Sequence, residues 1–329
     1  MWSISDRRVP VNLLLRWGVF ALACALLVRH LLAAQGTSTT VAGSVAWDLR
    51  TWAMLPVVVV LGAFNWWLES RKWKLLLRRI APVDGMEAFR ATLAGTAVGL
   101  ITPNRTGEFL GRIAHLPSDV RSRAAFASIP GSVAQFAVTL VAGALGIALL
   151  TVSDNTLPWS GIFPVGYVLL PLALSIAIVL VLLFRPRWTR SLLLGPAFMR
   201  RFRSASVAMV AVQPGVARQV LALSMLRYGT FTLQFVLLLM VLAPELGVLS
   251  AWGAVPVVFL ITSLVPTAML TELGVRGSVA VALLVPLHAE AWHVVSASFV
   301  LWAVNLALPA LMGAVILIVA RVRRPVVLA

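Results

Sequence analysis

Long apolar runs alternate with short basic clusters along most of this chain. Runs at about Val11–Ala34, Thr51–Leu68, Ala124–Val152, Ile162–Phe184, Gln219–Leu242 and Trp292–Ala320 carry few charges. A helix needs about 20 apolar residues, at about 1.5 Å each, to cross the hydrocarbon core of a bilayer. The pattern therefore predicts six full spans. The first run, behind Asp6-Arg7-Arg8, is long for a cleaved leader and is followed by more spans, so it reads as a span.

Two further apolar stretches are interrupted. Residues 87–116 hold Thr102-Pro103-Asn104-Arg105-Thr106-Gly107-Glu108 in their middle, with Arg112 and His115 beyond. Two arms of about 15 residues reach only about 22 Å each, too little for two spans. A hairpin that enters and leaves on one side satisfies the length. Such backbone is tolerated at membrane depth only inside protein or beside a wet cavity. Residues 251–287 are broken in the same way, around Ser263, Pro266, Thr271, Glu272, Gly274, Arg276 and Gly277. Their arms are about 18 residues each, which leaves open two short full spans.

Charge assigns the sides. Arg71, Lys72, Lys74, Arg78 and Arg79 cluster after the second run, and Arg121 and Arg123 follow the first broken stretch. Arg185, Arg187, Arg190, Arg200, Arg201, Arg203 and Arg218 fill residues 185–218, and Arg321, Arg323 and Arg324 close the last run. By the positive-inside rule all of these are cytoplasmic, as are both termini, in a plasma (inner) membrane. Segment 185–218, with Trp188, Phe198 and Phe202, reads as a basic stretch lying on the membrane surface. Segments 153–161 and 243–249 carry an acid but no Lys or Arg, and read as external.

The order is span, span, hairpin, span, and then the same again. The expected fold is thus an all-α polytopic membrane protein, one integral domain over 1–329, built from two inverted halves at about 1–152 and 162–324. Local sequence agrees. Glu108-x3-Arg112 follows Pro103, and Glu272-x3-Arg276 follows Pro266. The span before each hairpin carries an Arg beside an aromatic residue, Arg71 with Trp73 and Arg227 with Tyr228.

Composition narrows the class. The chain has 329 residues, 60% hydrophobic and 12% charged, with a mean hydropathy of +0.97. Soluble domains carry about 25% charged residues, and disordered chains are poor in apolar ones. The net charge of +16 suits an anionic leaflet, so no nucleic-acid partner is expected. The single cysteine, Cys24, permits neither an intramolecular disulfide nor a thiolate metal site. His288-x-Glu290-x2-His293 lacks a third ligand type nearby and reads as an interfacial loop, not a metal box. Ser224 and Ser263 have no neighbouring His, which argues against an enzyme. No cofactor is expected. Trp47, Trp52, Trp159, Trp252 and Trp292 stand at run ends as an anchor belt, and Gly95-x3-Gly99 suits close helix packing.

A charged side chain in the bilayer centre costs at least about 2.5–3.5 kcal/mol. Matched broken segments that carry such charges in two halves point to a transport site. The bland alternative is an ion pair that braces each hairpin.

The residues Thr102 to Arg112, with Arg227-Tyr228, Phe231, Gln234 and Phe235, and with Glu272 to Gly277, resemble a known family. It is the lysylphosphatidylglycerol synthase transmembrane region, the flippase-type membrane domain of the multiple peptide resistance factor family. The resemblance runs from about Asn65 onward and implies lipid translocation between leaflets. Residues 185–218, the longest segment outside the predicted membrane region, leave no room for the family's soluble aminoacyl-transferase domain, so only the flippase part carries over. The expected cargo is a membrane phospholipid or lipid-linked anion. The expected site comprises Pro103, Asn104, Arg105, Glu108, Arg112, Arg227, Tyr228, Gln234, Pro266, Glu272 and Arg276. The same features suit a proton-coupled transporter of a small anion. A non-transporting anchor or partner subunit is the third possibility.

Overall fold

A computed structural model describes residues 48–100, 102, 105–153, 164–265 and 269–322. Among them there is no strand. The predicted span at 11–34 lies outside the described residues, as do Pro103, Asn104 and Pro266.

Helix α1 spans Leu49–Leu77. It starts at Asp48, whose carboxylate accepts hydrogen bonds from the Thr51 N–H and hydroxyl at 2.9 Å each. These bonds hold the Asp48 carboxyl below its usual range. Helix α2 covers Gly85–Leu100, behind Asp84, which accepts from the Glu87 N–H at 2.6 Å. Helix α3 covers only Gly107–Ile113. Helices α4 (Arg121–Val152) and α5 (Gly166–Phe184) follow. Then come α6 (Pro186–Leu193), a 3₁₀ turn at Ala197–Phe202 and α7 (Val207–Val210). Helix α8 is Pro214–Leu242, α9 is Val248–Leu264 and α10 is Met269–Leu284. Helices α11 (Ala291–Trp302) and α12 (Leu308–Val322) are joined by a π-helical turn at Ala303–Ala307.

Five helical stretches are long and apolar enough to cross a membrane: α1, α4, α5, α8 and the α11–α12 rod. These are the five predicted spans that fall among the described residues, and the chain is an all-α, multi-pass membrane protein. The interrupted stretches form short helices, as expected, but α3 has seven residues where an arm of about 15 was predicted. The helix starts only after the left-handed Arg105 and stops short of Pro117, which cannot continue it, and Arg121 folds back to donate to the Leu116 and Ala114 carbonyls at 2.9 and 3.3 Å. The chain turns there instead of continuing as helix. Helices α9 and α10 have 17 and 16 residues, at the short end of what a full span needs.

Packing is reciprocal. Helix α1 lies against α8, α2 lies against α12, and α9 lies against α4. Glycines allow the two latter contacts. A methyl group on Gly313 of α12 would overlap the Leu93 carbonyl of α2. One on Gly146 of α4 would come within 2.5 Å of the Gly253 carbonyl oxygen of α9. The α2–α3 hairpin closes as tightly: a methyl on Gly111 would meet the Ala94 carbonyl oxygen at 2.7 Å, and one on Gly99 the Glu108 Cγ at 2.5 Å. The main core lies where α4, α8, α9, α10 and α11 meet, around the fully buried Phe235, Leu239, Leu284, Val294 and Leu301. Helix α5 leans on α4 and buries only Leu172 and Leu183. Its Leu170, Leu174 and Ile178 point outward, as a lipid-facing helix requires.

Segment 185–213 is folded back on the helices. Arg190 donates from Nε to Ser206 Oγ at 2.8 Å and from Nη2 to the Arg203 carbonyl at 3.1 Å. Met209 is fully buried, and α7 packs on α4. Trp188, Leu192 and Phe198 remain exposed. Phe202, predicted among the surface aromatics, instead packs on Phe126 with ring centroids 6.0 Å apart.

Candidate functional site

One face of α1 organises the site. Gly62, Asn65, Trp66, Glu69, Lys72, Trp73 and Leu76 follow the helical repeat of three and four, and all are buried. Glu69 is the pivot. Its carboxylate lies 2.7 Å from Lys72 Nζ, 2.9 Å from Arg112 Nη1 and 3.4 Å from Arg227 Nε. Side-chain exposures of 5% for Lys72 and 9% for Glu69 and Arg112 place these charges inside the protein.

The first hairpin extends the network. Arg112 on α3 also lies 3.4 Å from Glu108, one helical turn earlier. Glu108 pairs with Arg105 at the hairpin tip. Arg105 has φ of 55°, a left-handed conformation costing a non-glycine residue about 1–2 kcal/mol. That conformation swings its guanidinium across to Glu272 of the second hairpin, at 4.0 Å. Glu272 in turn pairs with Arg276, one turn along α10. Five cations (Lys72, Arg105, Arg112, Arg227 and Arg276) thus share three carboxylates (Glu69, Glu108 and Glu272), an excess of two positive charges.

Beside the network lies a cavity of about 550 Å³. Arg105, Arg227 and Arg276 line it, with Glu272 as the only carboxylate in its wall among the described residues. A neutral polar belt completes the charged side. Asn65 Nδ2 donates to Asn305 Oδ1 at 2.9 Å, and Trp66 Nε1 donates to the Asn305 carbonyl at 3.1 Å. Arg227 Nη1 donates to Gln135 Oε1 at 3.2 Å. Asn305 sits in the π-helical turn, a distortion that recurs at functional sites. Phe231, Phe259, Leu264, Val265 and Leu306 add apolar surface to the wall, interspersed with Thr139, Thr262 and Ser263. The Arg276 guanidinium lies over the Phe231 and Phe259 rings, 5.3 and 5.9 Å from their centroids, and Arg227 over Trp66 at 5.9 Å. The Nε groups of Arg227 and Arg276 are buried without a directed hydrogen bond.

Most of the expected site residues converge. Arg105, Arg227, Tyr228, Glu272 and Arg276 line the cavity, and Glu108 and Arg112 lie behind it in the network. Gln234 does not reach the cavity. It is fully buried between helices and donates to the Val58 carbonyl of α1 at 2.8 Å. The proposed equivalence of Arg71 with Arg227 also fails. Arg71 is exposed and lies over Trp67, 5.1 Å from the ring centroid. Its neighbours Glu69 and Lys72, read only as part of a cytoplasmic basic run, are the ones turned inward. Their signal was an acid within that run, spaced seven residues before a buried helical position and four after Asn65. Asn65, Trp66, Gln135 and Asn305 gave no motif.

The His288, Glu290, His293 group lies apart from this site. His293 Nδ1 is 3.2 Å from Glu245 Oε1, and the Glu290 N–H donates to the same oxygen at 2.9 Å. The contact ties the start of α11 to the α8–α9 turn. Among the described residues no three side chains of metal-binding type gather.

Compared with family models, with curated proteins and with solved structures, the chain matches none.

Proposed function

We propose that this protein is a flippase-like translocase that carries a phospholipid or lipid-linked anionic headgroup between the leaflets of a plasma (inner) membrane. The observation that carries the reading is the cavity wall, where three guanidiniums and one carboxylate are set among aromatic and aliphatic side chains. Arginine forks match phosphate oxygens, and the apolar surface suits the root of an acyl chain. A small soluble anion would need no such apolar surface. The resemblance to the lysylphosphatidylglycerol synthase transmembrane region points the same way.

The reciprocal packing of α2 on α12 and of α9 on α4 supports two inverted halves, at about 1–152 and 162–324, with both hairpins dipping toward the midplane and both termini cytoplasmic. In that arrangement, rocking of one half against the other opens the cavity to each leaflet in turn. Glu108 and Glu272, each between two arginines, hold the guanidiniums in place while the headgroup passes. Segment 185–218 lies along the cytoplasmic surface.

The test is leaflet exchange of a fluorescent anionic lipid in vesicles containing the purified protein. Exchange above protein-free vesicles is expected, with loss in Arg276→Ala and in Glu108→Gln. Unchanged rates in both variants would remove this cavity as the path.

A further inference from the structure

We infer that the preferred cargo headgroup is a phosphate monoester, a dianion, rather than the phosphodiester of the common phospholipids or an aminoacylated cationic headgroup. This deepens the translocase reading and rests on it.

The inference comes from the charge balance. The whole network has two more cations than carboxylates. The cavity wall alone, with Arg105, Arg227 and Arg276 against Glu272, has the same excess. Uncompensated charge in a low-dielectric interior is unfavourable, so the ligand that fits best brings the matching charge. A monoester approaches −2 at neutral pH, because its second pKa is about 6. A phosphodiester stops at −1 and leaves one positive charge unmatched. A lysyl-esterified phosphodiester, with two ammonium groups on one phosphate charge, is net cationic and adds to the excess.

Geometry agrees. A monoester presents three terminal oxygens, and three guanidiniums from three separate elements line the cavity: Arg105 at the first hairpin tip, Arg227 on α8 and Arg276 on α10. A diester presents two. The guanidinium groups of Arg105, Arg227 and Arg276 supply the donors for these oxygens. Asn65, Gln135 and Asn305 add neutral polar groups without altering the balance.

The experiment uses the full-length protein in phosphatidylcholine vesicles with one of three acyl-labelled probes: phosphatidic acid, phosphatidylglycerol or lysylphosphatidylglycerol. An impermeant reductant reads how fast each probe changes leaflet. At pH 7.5 phosphatidic acid is expected to exchange at least ~10-fold faster than phosphatidylglycerol, with the lysyl lipid slowest. The advantage should shrink toward pH 5.5, as the monoester takes up its second proton. Equal rates for all three probes, or a faster diester or lysyl lipid, would overturn the monoester inference and leave the translocase reading intact. No exchange of any probe above protein-free vesicles would overturn the translocase reading itself.

Discussion

Glu69 and Arg112 are 43 positions apart in the chain and 2.9 Å apart in space. Their contact joins the inward face of α1 to the short arm of the first hairpin. Because Glu69 also meets Arg227, the same carboxylate reaches α8. One acid therefore holds three helices at the edge of the cavity. Neutralising it leaves Lys72, Arg112 and Arg227 close together without their shared counter-charge. Removing one partner of a buried ion pair costs about 3–5 kcal/mol. Glu69→Gln is expected to lower the unfolding temperature in detergent well below that of the unmodified protein and to abolish lipid exchange. Lys72→Met, which leaves Glu69 with two arginines, should be milder in both assays. A Glu69→Gln protein as stable as the parent would show that the carboxylate is not the pivot.

The two crossed contacts, α2 on α12 and α9 on α4, depend on glycine. Gly313→Ala would drive a methyl into the Leu93 carbonyl, and Gly146→Ala would bring one to 2.5 Å from the Gly253 carbonyl oxygen. Backbone cannot yield as a flexible side chain does. Overpacking of this kind costs about 1–3 kcal/mol. Gly277→Ala is the control, since its added methyl meets nothing within 4 Å. It should be neutral, or stabilising by up to about 1 kcal/mol through helix propensity. Thermal unfolding of the three variants decides the matter. If Gly313→Ala and Gly277→Ala behave alike, the close approach of α12 to α2 is wrong.

Gln234 and Glu69 mark what the sequence can and cannot reveal. Charges inside an apolar run are conspicuous because membrane burial is costly, so Glu108, Arg112, Glu272 and Arg276 were legible as one system. Gln234 is just as polar in its run, yet a single bond to the Val58 carbonyl accounts for its donor. Sequence does not say whether a buried amide will meet cargo or backbone. Glu69 and Lys72 failed in the opposite direction. A basic flank that snorkels and a helix face that turns inward have the same composition, and only the neighbours Arg112 and Arg227, distant in sequence, distinguish them. The span pattern was legible from run length, whereas the late start of α3 was not, because the left-handed backbone at Arg105 leaves no mark in composition.

The place of Gln234 can be checked directly. Gln234→Leu makes the side chain apolar at similar volume, and loses one buried hydrogen bond. That loss is worth about 1 kcal/mol, with the Val58 carbonyl still bonded in its own helix. Lipid exchange in vesicles should stay within about twofold of the parent, since each 1.4 kcal/mol off a barrier is a factor of ten and this residue does not reach the cavity. A tenfold loss of exchange with unchanged stability would return Gln234 to the transport path.

Glu245 gives the protein an acid-sensitive tie outside the spans. Burial alone would raise its carboxyl, but the hydrogen bonds from the Glu290 N–H and from His293 outweigh that and hold it below the usual carboxylate range. The sign follows from linkage. A carboxyl with a depressed folded-state pKa adds stability that is present above its unfolded pKa of about 4.3 and is lost as pH falls through the folded value. The α8–α9 turn should therefore loosen from the start of α11 only below about pH 4. Glu245→Gln should unfold at a lower temperature than the parent at pH 7, and the gap between them should close at pH 3. Because Glu245 is partly exposed, high salt should narrow the pH 7 gap as well. A gap that stayed constant from pH 7 to pH 3 would mean that the carboxylate charge contributes nothing to the tie.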